Sequence, residues 1–249
     1  MSYAPENLRG HRSFSNFCYM DAVPLPMQVT YYGENIMSLI TSQGKHGLSP
    51  IAKWSLIISP ILYMVGGMLL TGGEFGLWGN KLVGAITAQG ETAKIGAVLS
   101  VIAGALYVTA LMGLTRITPQ ENMALARMQV ATMGTAILTA IFIVWSGIAM
   151  AIAAGGTGAD AGSLLVGIDA AAAILFFLVL IPLSGGFQRG GIVNKNLAWV
   201  VLGIGVLGFI ASVVMGANDE TGKMIISVLQ GIYALVGFII GIMLVKAEG

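Results

Sequence analysis

Apolar residues along this chain fall into six long runs that short polar segments separate. Each run is nearly free of charged residues, and a helix of roughly 20 apolar residues is long enough to cross the core of a bilayer. Gly, Asn, Asp, Lys or Arg bounds each run, so the backbone leaves lipid where water can satisfy it. The runs are Ile51 to Leu70, Ala93 to Leu114, Val130 to Ala154, Ser163 to Leu183, Leu197 to Gly216 and Met224 to Val245. The pattern predicts an all-α integral membrane protein built as a bundle of six transmembrane helices.

The same pattern divides the chain into a polar N-terminal segment, residues 1–49, and a six-helix transmembrane domain, residues 50–249. The stretch MQVTYYGENIMSLI within the first segment has apolar residues near one helical face, which favours a short helix lying in the membrane interface. A loosely packed tail is the equal alternative. The segment lacks a cleavable signal pattern, so we expect the first span to direct insertion.

Basic residues are distributed unequally between the two sets of alternate loops. The first set has nine Lys and Arg residues: Arg9, Arg12, Lys45, Lys53, Arg116, Arg127, Arg189, Lys195 and Lys246. The second set has three: Lys81, Lys94 and Lys223. Because Lys and Arg accumulate on the cytoplasmic side, this excess predicts that both termini lie in the cytoplasm, and we expect the cell (inner) membrane as the location.

A weak internal similarity raises the question of a repeat. Aligning PILYMVGGMLLTGG, residues 60–73, with AILFFLVLIPLSGG, residues 173–186, matches two Gly-Gly pairs at an offset of 113 residues. Spans one and four would then be equivalent, which gives the 3+3 inverted repeat of many secondary transporters. The remaining spans need different offsets, so similar apolar composition is the alternative explanation.

Composition narrows the chemistry that the chain can support. Of the residues, 56% are hydrophobic and 9% are charged, and the net charge is +1 without a basic stripe, so nucleic acid is not an expected partner. One cysteine, Cys18, and two histidines, His11 and His46, leave the spans without thiolate or imidazole ligands. We therefore expect no metal and no cofactor.

Small residues recur every four positions in three spans. The second and fifth spans read GxxxSxxxG, and the sixth repeats the spacing with two glycines. These positions are Gly96, Ser100, Gly104, Gly208, Ser212, Gly216, Gly237 and Gly241. Such a stripe lets a second helix backbone approach closely, either from a partner subunit or another copy of the chain, or from within one bundle.

Asp169 is the acidic residue within the predicted spans, about six residues or roughly 9 Å into the fourth. An intramembrane acid is by default a functional-site hypothesis. Asp169 is a proton or cation site, or a clasp that accepts hydrogen bonds from Tyr, Ser or Thr hydroxyl groups on neighbouring spans, or a headgroup-level residue if the span begins later. Gln230, in the sixth span, is the second polar candidate for such an ion site.

These observations lead to two main functional hypotheses. The first is a non-catalytic membrane subunit that packs through its Gly/Ser-lined helix faces into a larger complex, with lipid and other subunits as partners. The second is a small secondary transporter or channel that uses Asp169. An enzyme is not expected, because no nucleophile, base or metal cluster converges at one depth, although a lipid-interacting enzyme with loop-borne chemistry is a third alternative.

Overall fold

The structure, a computed structural model, describes residues 47–74, 76–77, 79–119, 123–156, 159–215 and 219–246. These ranges contain helices and connecting loops without strands, and six of their helices are long and apolar enough to cross a membrane. The helices are α1 (Pro50–Thr71), α2 (Gly79–Gln89), α3 (Glu91–Ile117), α4 (Met123–Ala153), α5 (Ala159–Gly190), α6 (Lys195–Val214) and α7 (Glu220–Lys246). The predicted fold class is confirmed: the protein is an integral, multi-pass α-helical membrane protein of the lipid bilayer.

Some sequence predictions concern residues outside these ranges. The interfacial helix proposed near residues 27–40 is one, and Gly216 of the fifth-span stripe is another. The cytoplasmic location of the termini and the inverted repeat also remain predictions.

Polar side chains mark where three of the spans begin. The Ser49 hydroxyl accepts the N–H of Ala52 at 3.3 Å, immediately before a proline in the first turn of α1. Asn194 caps α6 by accepting the N–H of Asn196 at 2.9 Å. The Asp219 carboxylate accepts two N–H groups of the first turn of α7, each at 3.2 Å. These caps satisfy amides that have no partner within the helix, as a helix end near lipid requires.

Helix α2 lies between the first two spans and was not predicted. Its 11 residues are too few to cross the bilayer, and only Leu82 and Ile86 are buried. These two side chains join a small apolar cluster with Leu70 of α1, Trp145 of α4 and Leu165 of α5. The helix therefore packs onto one end of the bundle.

The six spans form a closed ring. Each span packs against the spans before and after it in the chain, and α7 packs against α1. At one end of the bundle α1, α4 and α6 finish while α3, α5 and α7 begin. We call this the acidic end, and the opposite end the basic end, because the described charges separate between them.

The acidic end has an excess of carboxylates. Its acids with described side chains are Glu74, Glu91, Asp169, Asp219 and Glu220, and its lysines are Lys81, Lys94 and Lys223. All three lysines form ion pairs: Lys81 with Glu220 at 2.6 Å, Lys94 with Glu91 at 2.5 Å, and Lys223 with Asp169. The basic end has Lys53, Arg116, Arg127, Arg189, Lys195 and Lys246, with no acid among the described residues there.

The small residues of the predicted stripes lie at contacts between helices of this chain. A Cβ on Gly96 would lie 2.5 Å from the Gly66 carbonyl oxygen of α1, and one on Gly104 would lie 3.1 Å from Thr139 of α4. Gly208 faces the Phe177 ring of α5, and the buried Ser212 hydroxyl donates to the Gly208 carbonyl at 2.8 Å. Gly237 and Gly241 face Pro60 and Ile57 of α1.

We predict that Gly208→Val destabilises the protein by about 1–3 kcal/mol, the usual cost of overpacking a well-filled contact. A side chain there would collide with Phe177, which is fully buried. Gly203→Val on the same helix is the matched control, because a Cβ at Gly203 meets nothing within 4 Å. Thermal unfolding of the purified variants in one detergent measures the difference. Equal stability of the two variants would contradict this packing.

Candidate functional site

Two cavities lie between the helices of the ring, both of them partly open to the outside of the protein, and we call them the inner cavity and the vestibule. The inner cavity has a volume of about 80 Å³ and is lined by α1, α3, α4, α5 and α7. The vestibule, about 180 Å³, extends toward the acidic end, where Thr71, Glu74 and Gly76 form part of its wall. Four residues line both cavities: Tyr63, Ser100, Phe142 and Gln230. The two cavities therefore meet at these side chains.

Aromatic side chains form much of the wall of the inner cavity. They are Tyr63, Tyr107, Phe142, Phe176 and Tyr233. Tyr63 and Phe142 pack edge to face with their ring centroids 6.3 Å apart, and Phe176 and Tyr233 do the same at 5.4 Å. The Tyr107 and Tyr233 hydroxyl groups hydrogen-bond to each other and so connect α3 to α7. Edge-to-face pairs of this kind give the wall a defined geometry.

Four serine and threonine hydroxyl groups line the inner cavity, and each donates its hydrogen to a backbone carbonyl. The pairs are Ser59 to Ala103, Ser100 to Gly96, Thr135 to Ala131 and Thr139 to Thr135, at distances from 2.8 to 3.0 Å. A hydroxyl group has one donor and two acceptor lone pairs. These side chains therefore have only acceptor capacity left to offer a ligand.

Gln230, the second predicted ion-site residue, lies where the two cavities meet. Its side-chain amide makes no hydrogen bond with any residue that the structure describes. It lies seven residues after Lys223 in α7, close to two helical turns, so both side chains are on one helix face. Both line the vestibule together with Asp169.

Asp169 forms an ion pair with Lys223 across the vestibule, which joins α5 to α7. Their side chains are 24% and 10% exposed, respectively. The pair is thus a clasp between helices, although its donor is an ammonium group rather than the hydroxyl group that the sequence suggested. Helix α5 begins at Ala159, ten residues or roughly 15 Å before Asp169, so the helix does not start after the acid.

Sequence reasoning missed two residues of this site. Lys223 was counted among the loop charges because the sixth span was expected to start one residue later, whereas α7 begins at Glu220. Glu74 follows the first span and was not considered, yet it lines the vestibule. The sequence did contain a signal for this pair: a lysine at the boundary of one span and an acid at a similar depth in another.

The comparisons with known proteins leave the site to be interpreted from its own geometry. No protein-family model, no curated protein and no solved structure matches this chain. Within the part of the chain that the structure describes, no three His, Cys, Asp or Glu side chains are grouped closely enough to hold a metal ion.

We predict that Asp169→Asn lowers stability by about 3–5 kcal/mol, because it leaves the buried Lys223 ammonium group without its partner. Lys223→Met should cost less, because the Asp169 carboxylate that it leaves is 24% exposed. The double variant should recover most of that loss, since it removes both charges. Thermal unfolding of the four proteins gives this double-mutant cycle.

The exposed pair Lys81–Glu220 is the control for this cycle. Its side chains are 63% and 69% exposed, so Lys81→Met and Glu220→Gln should each cost less than about 1 kcal/mol. Additive losses at Asp169 and Lys223, without recovery in the double variant, would refute the described ion pair.

Proposed function

We propose that this protein is a small transporter or channel whose solute passes through the interior of the ring. The observation that carries this proposal is the pair of cavities that share Tyr63, Ser100, Phe142 and Gln230. Together they extend from the loop at the acidic end to the middle of the bundle. Solute sites in helical membrane proteins are commonly built between the helices of a bundle, near mid-membrane.

The Asp169–Lys223 pair is the proposed gate of this path. It joins α5 to α7 at the vestibule, so opening that side of the ring separates the two charges. A proton on Asp169, or a cation that takes the place of the Lys223 ammonium group, removes the attraction. In this proposal the gate responds to the proton or cation that accompanies the solute, which assigns Asp169 the ion-site role predicted from the sequence.

The subunit hypothesis receives less support from the same contacts. It depended on stripes of small residues free to receive a partner helix, whereas the described glycines of those stripes and Ser100 contact other helices of this chain, and Ser212 is buried. Partner subunits therefore remain a prediction without an observation that favours them. The expectation that the protein is not an enzyme also remains a prediction.

We predict that a cysteine introduced at Ser227, in the wall of the vestibule, reacts with a membrane-impermeant thiosulfonate reagent. The thiolate attacks a reagent of this class, forming a disulfide and releasing a sulfinate, and the thiolate forms where water reaches the sulfur. Cys18→Ser supplies a background free of cysteine, because Cys18 is the one cysteine in the chain. Labelling of intact cells and of inverted vesicles shows which side of the membrane the vestibule faces, and the predicted orientation places it outside.

Leu207→Cys is the control for this labelling. Leu207 is 61% exposed on α6 and does not line either cavity, so its sulfur would face lipid. We expect Ser227→Cys to react many times faster than Leu207→Cys. Failure of Ser227→Cys to react from either side would rule out a water-filled vestibule.

We also predict that proteoliposomes carrying the protein give a transient inward current after a downward pH jump on a solid-supported membrane. Asp169→Asn combined with Lys223→Gln should reduce this current to the level of protein-free vesicles, because no carboxylate remains at the gate to bind the proton. The matched double variant Lys81→Gln, Glu220→Gln should retain it. Currents that are equal in the two double variants would remove Asp169 from the ion path.

A further inference from the structure

We propose that the inner cavity binds a small organic cation, of the class of trimethylammonium and alkylammonium compounds. This inference rests on the proposed function and names its substrate class. Three independent features of the described residues support it: the aromatic wall, the hydrogen-bonding state of the hydroxyl groups, and the charge along the vestibule.

The aromatic wall offers the first argument. Five aromatic side chains surround a cavity of about 80 Å³: Tyr63, Tyr107, Phe142, Phe176 and Tyr233. The negative face of an aromatic ring attracts a cation, and the attraction is larger where water is excluded. Several rings around one small space are the arrangement that recognises quaternary ammonium groups.

The hydroxyl groups supply the second argument. The serine and threonine hydroxyl groups of the lining donate their hydrogens to backbone carbonyls, so they present only lone pairs to a ligand. These residues are Ser59, Ser100, Thr135 and Thr139. An anion needs donors and gains nothing from these oxygens. A cation, or the N–H groups of an amine, gains from each of them. The Gln230 amide can turn its carbonyl oxygen toward a cation, and its NH₂ group and the Tyr63 hydroxyl are the donors that remain in the lining.

Charge along the entry path is the third argument. Two carboxylates, Glu74 and Asp169, and one ammonium group, Lys223, line the vestibule. The acidic end as a whole has more described acids than bases. A cleft lined by an excess of one charge raises the local concentration of ions of the opposite sign, so cations are favoured before they reach the rings.

The size of the cavity limits the ligand. One water molecule occupies roughly 30 Å³ in the liquid, and drug-sized ligands need pockets of roughly 300 Å³ or more. A cavity of about 80 Å³ therefore suits a group the size of trimethylammonium. Any longer chain on the cation extends into the vestibule.

The test uses choline and its uncharged analogue 3,3-dimethyl-1-butanol, which has the same shape with carbon in place of the charged nitrogen. Isothermal titration calorimetry with the full chain in nanodiscs of uncharged lipid measures both affinities. We expect choline to bind at least about tenfold more tightly than the analogue, as the energy of a desolvated cation–π contact implies.

Tyr63 provides the matched variants. It lines both cavities and makes no hydrogen bond with a described residue, so Tyr63→Phe keeps the ring and should keep the affinity for choline. Tyr63→Leu removes the ring and should weaken binding by about tenfold. Trp199→Leu is the control, because Trp199 is 60% exposed on the outside of the bundle and should leave the affinity unchanged.

Each outcome decides the inference. Equal affinities for choline and the analogue, no binding of choline, or equal affinities of Tyr63→Phe and Tyr63→Leu would overturn it. The proposed function is tested separately by labelling of Ser227→Cys and by the pH-jump current. A labelled vestibule without choline binding would therefore refute the organic cation and leave the solute path intact.

Discussion

The ring depends on the backbone contact between α1 and α3 at Gly66 and Gly96. Lipid is as apolar as leucine, so helices in a bilayer gain little by burying apolar side chains and associate mainly through close packing. The absence of a Cβ at Gly66 and Gly96 lets the two backbones approach until a carbonyl of one helix contacts the other. This approach brings the Ser59 hydroxyl of α1 within 2.8 Å of the Ala103 carbonyl of α3. Helix α1 also packs against Gly241 of α7, so α1 contacts both the second span and the last span of the ring.

A second constraint decides how polar the interior can be. A hydroxyl group away from water needs a partner, and the serine and threonine hydroxyl groups around the inner cavity find one in a backbone carbonyl, mostly of their own helix. The middle of the bundle therefore stays uncharged. Full charges are confined to its ends, where Asp169 and Lys223 neutralise each other at the edge of the apolar region. An ion pair is tolerated there because each charge has its counterion, whereas a lone charge of either sign would be costly.

The six spans could be predicted from the sequence because a bilayer demands a long apolar helix for each crossing. Helix α2 could not, since an 11-residue helix with two buried apolar side chains produces no such signal. Asp169 stood out as an acid in an apolar run, but its partner did not, because which helix faces α5 at that depth follows from packing rather than from local pattern. Gly96, Ser100 and Gly104 were recognisable as a stripe because their spacing of four residues is visible in the sequence itself. Their neighbours, Gly66 and Thr139, could not be predicted, because they depend on the register between the packed helices.

The order of the spans around the ring has a consequence for synthesis in the membrane. Each new helix finds its neighbour already inserted, so the bundle can assemble in step with translation until α6 is in place. The contact of α7 with α1 is the exception, since it joins the last span to the first. Asp169 consequently has no access to Lys223 until the final span has been inserted. The nascent protein therefore carries an unneutralised carboxylate in a half-open helix array, a stage at which an insertion chaperone would have a specific group to shield.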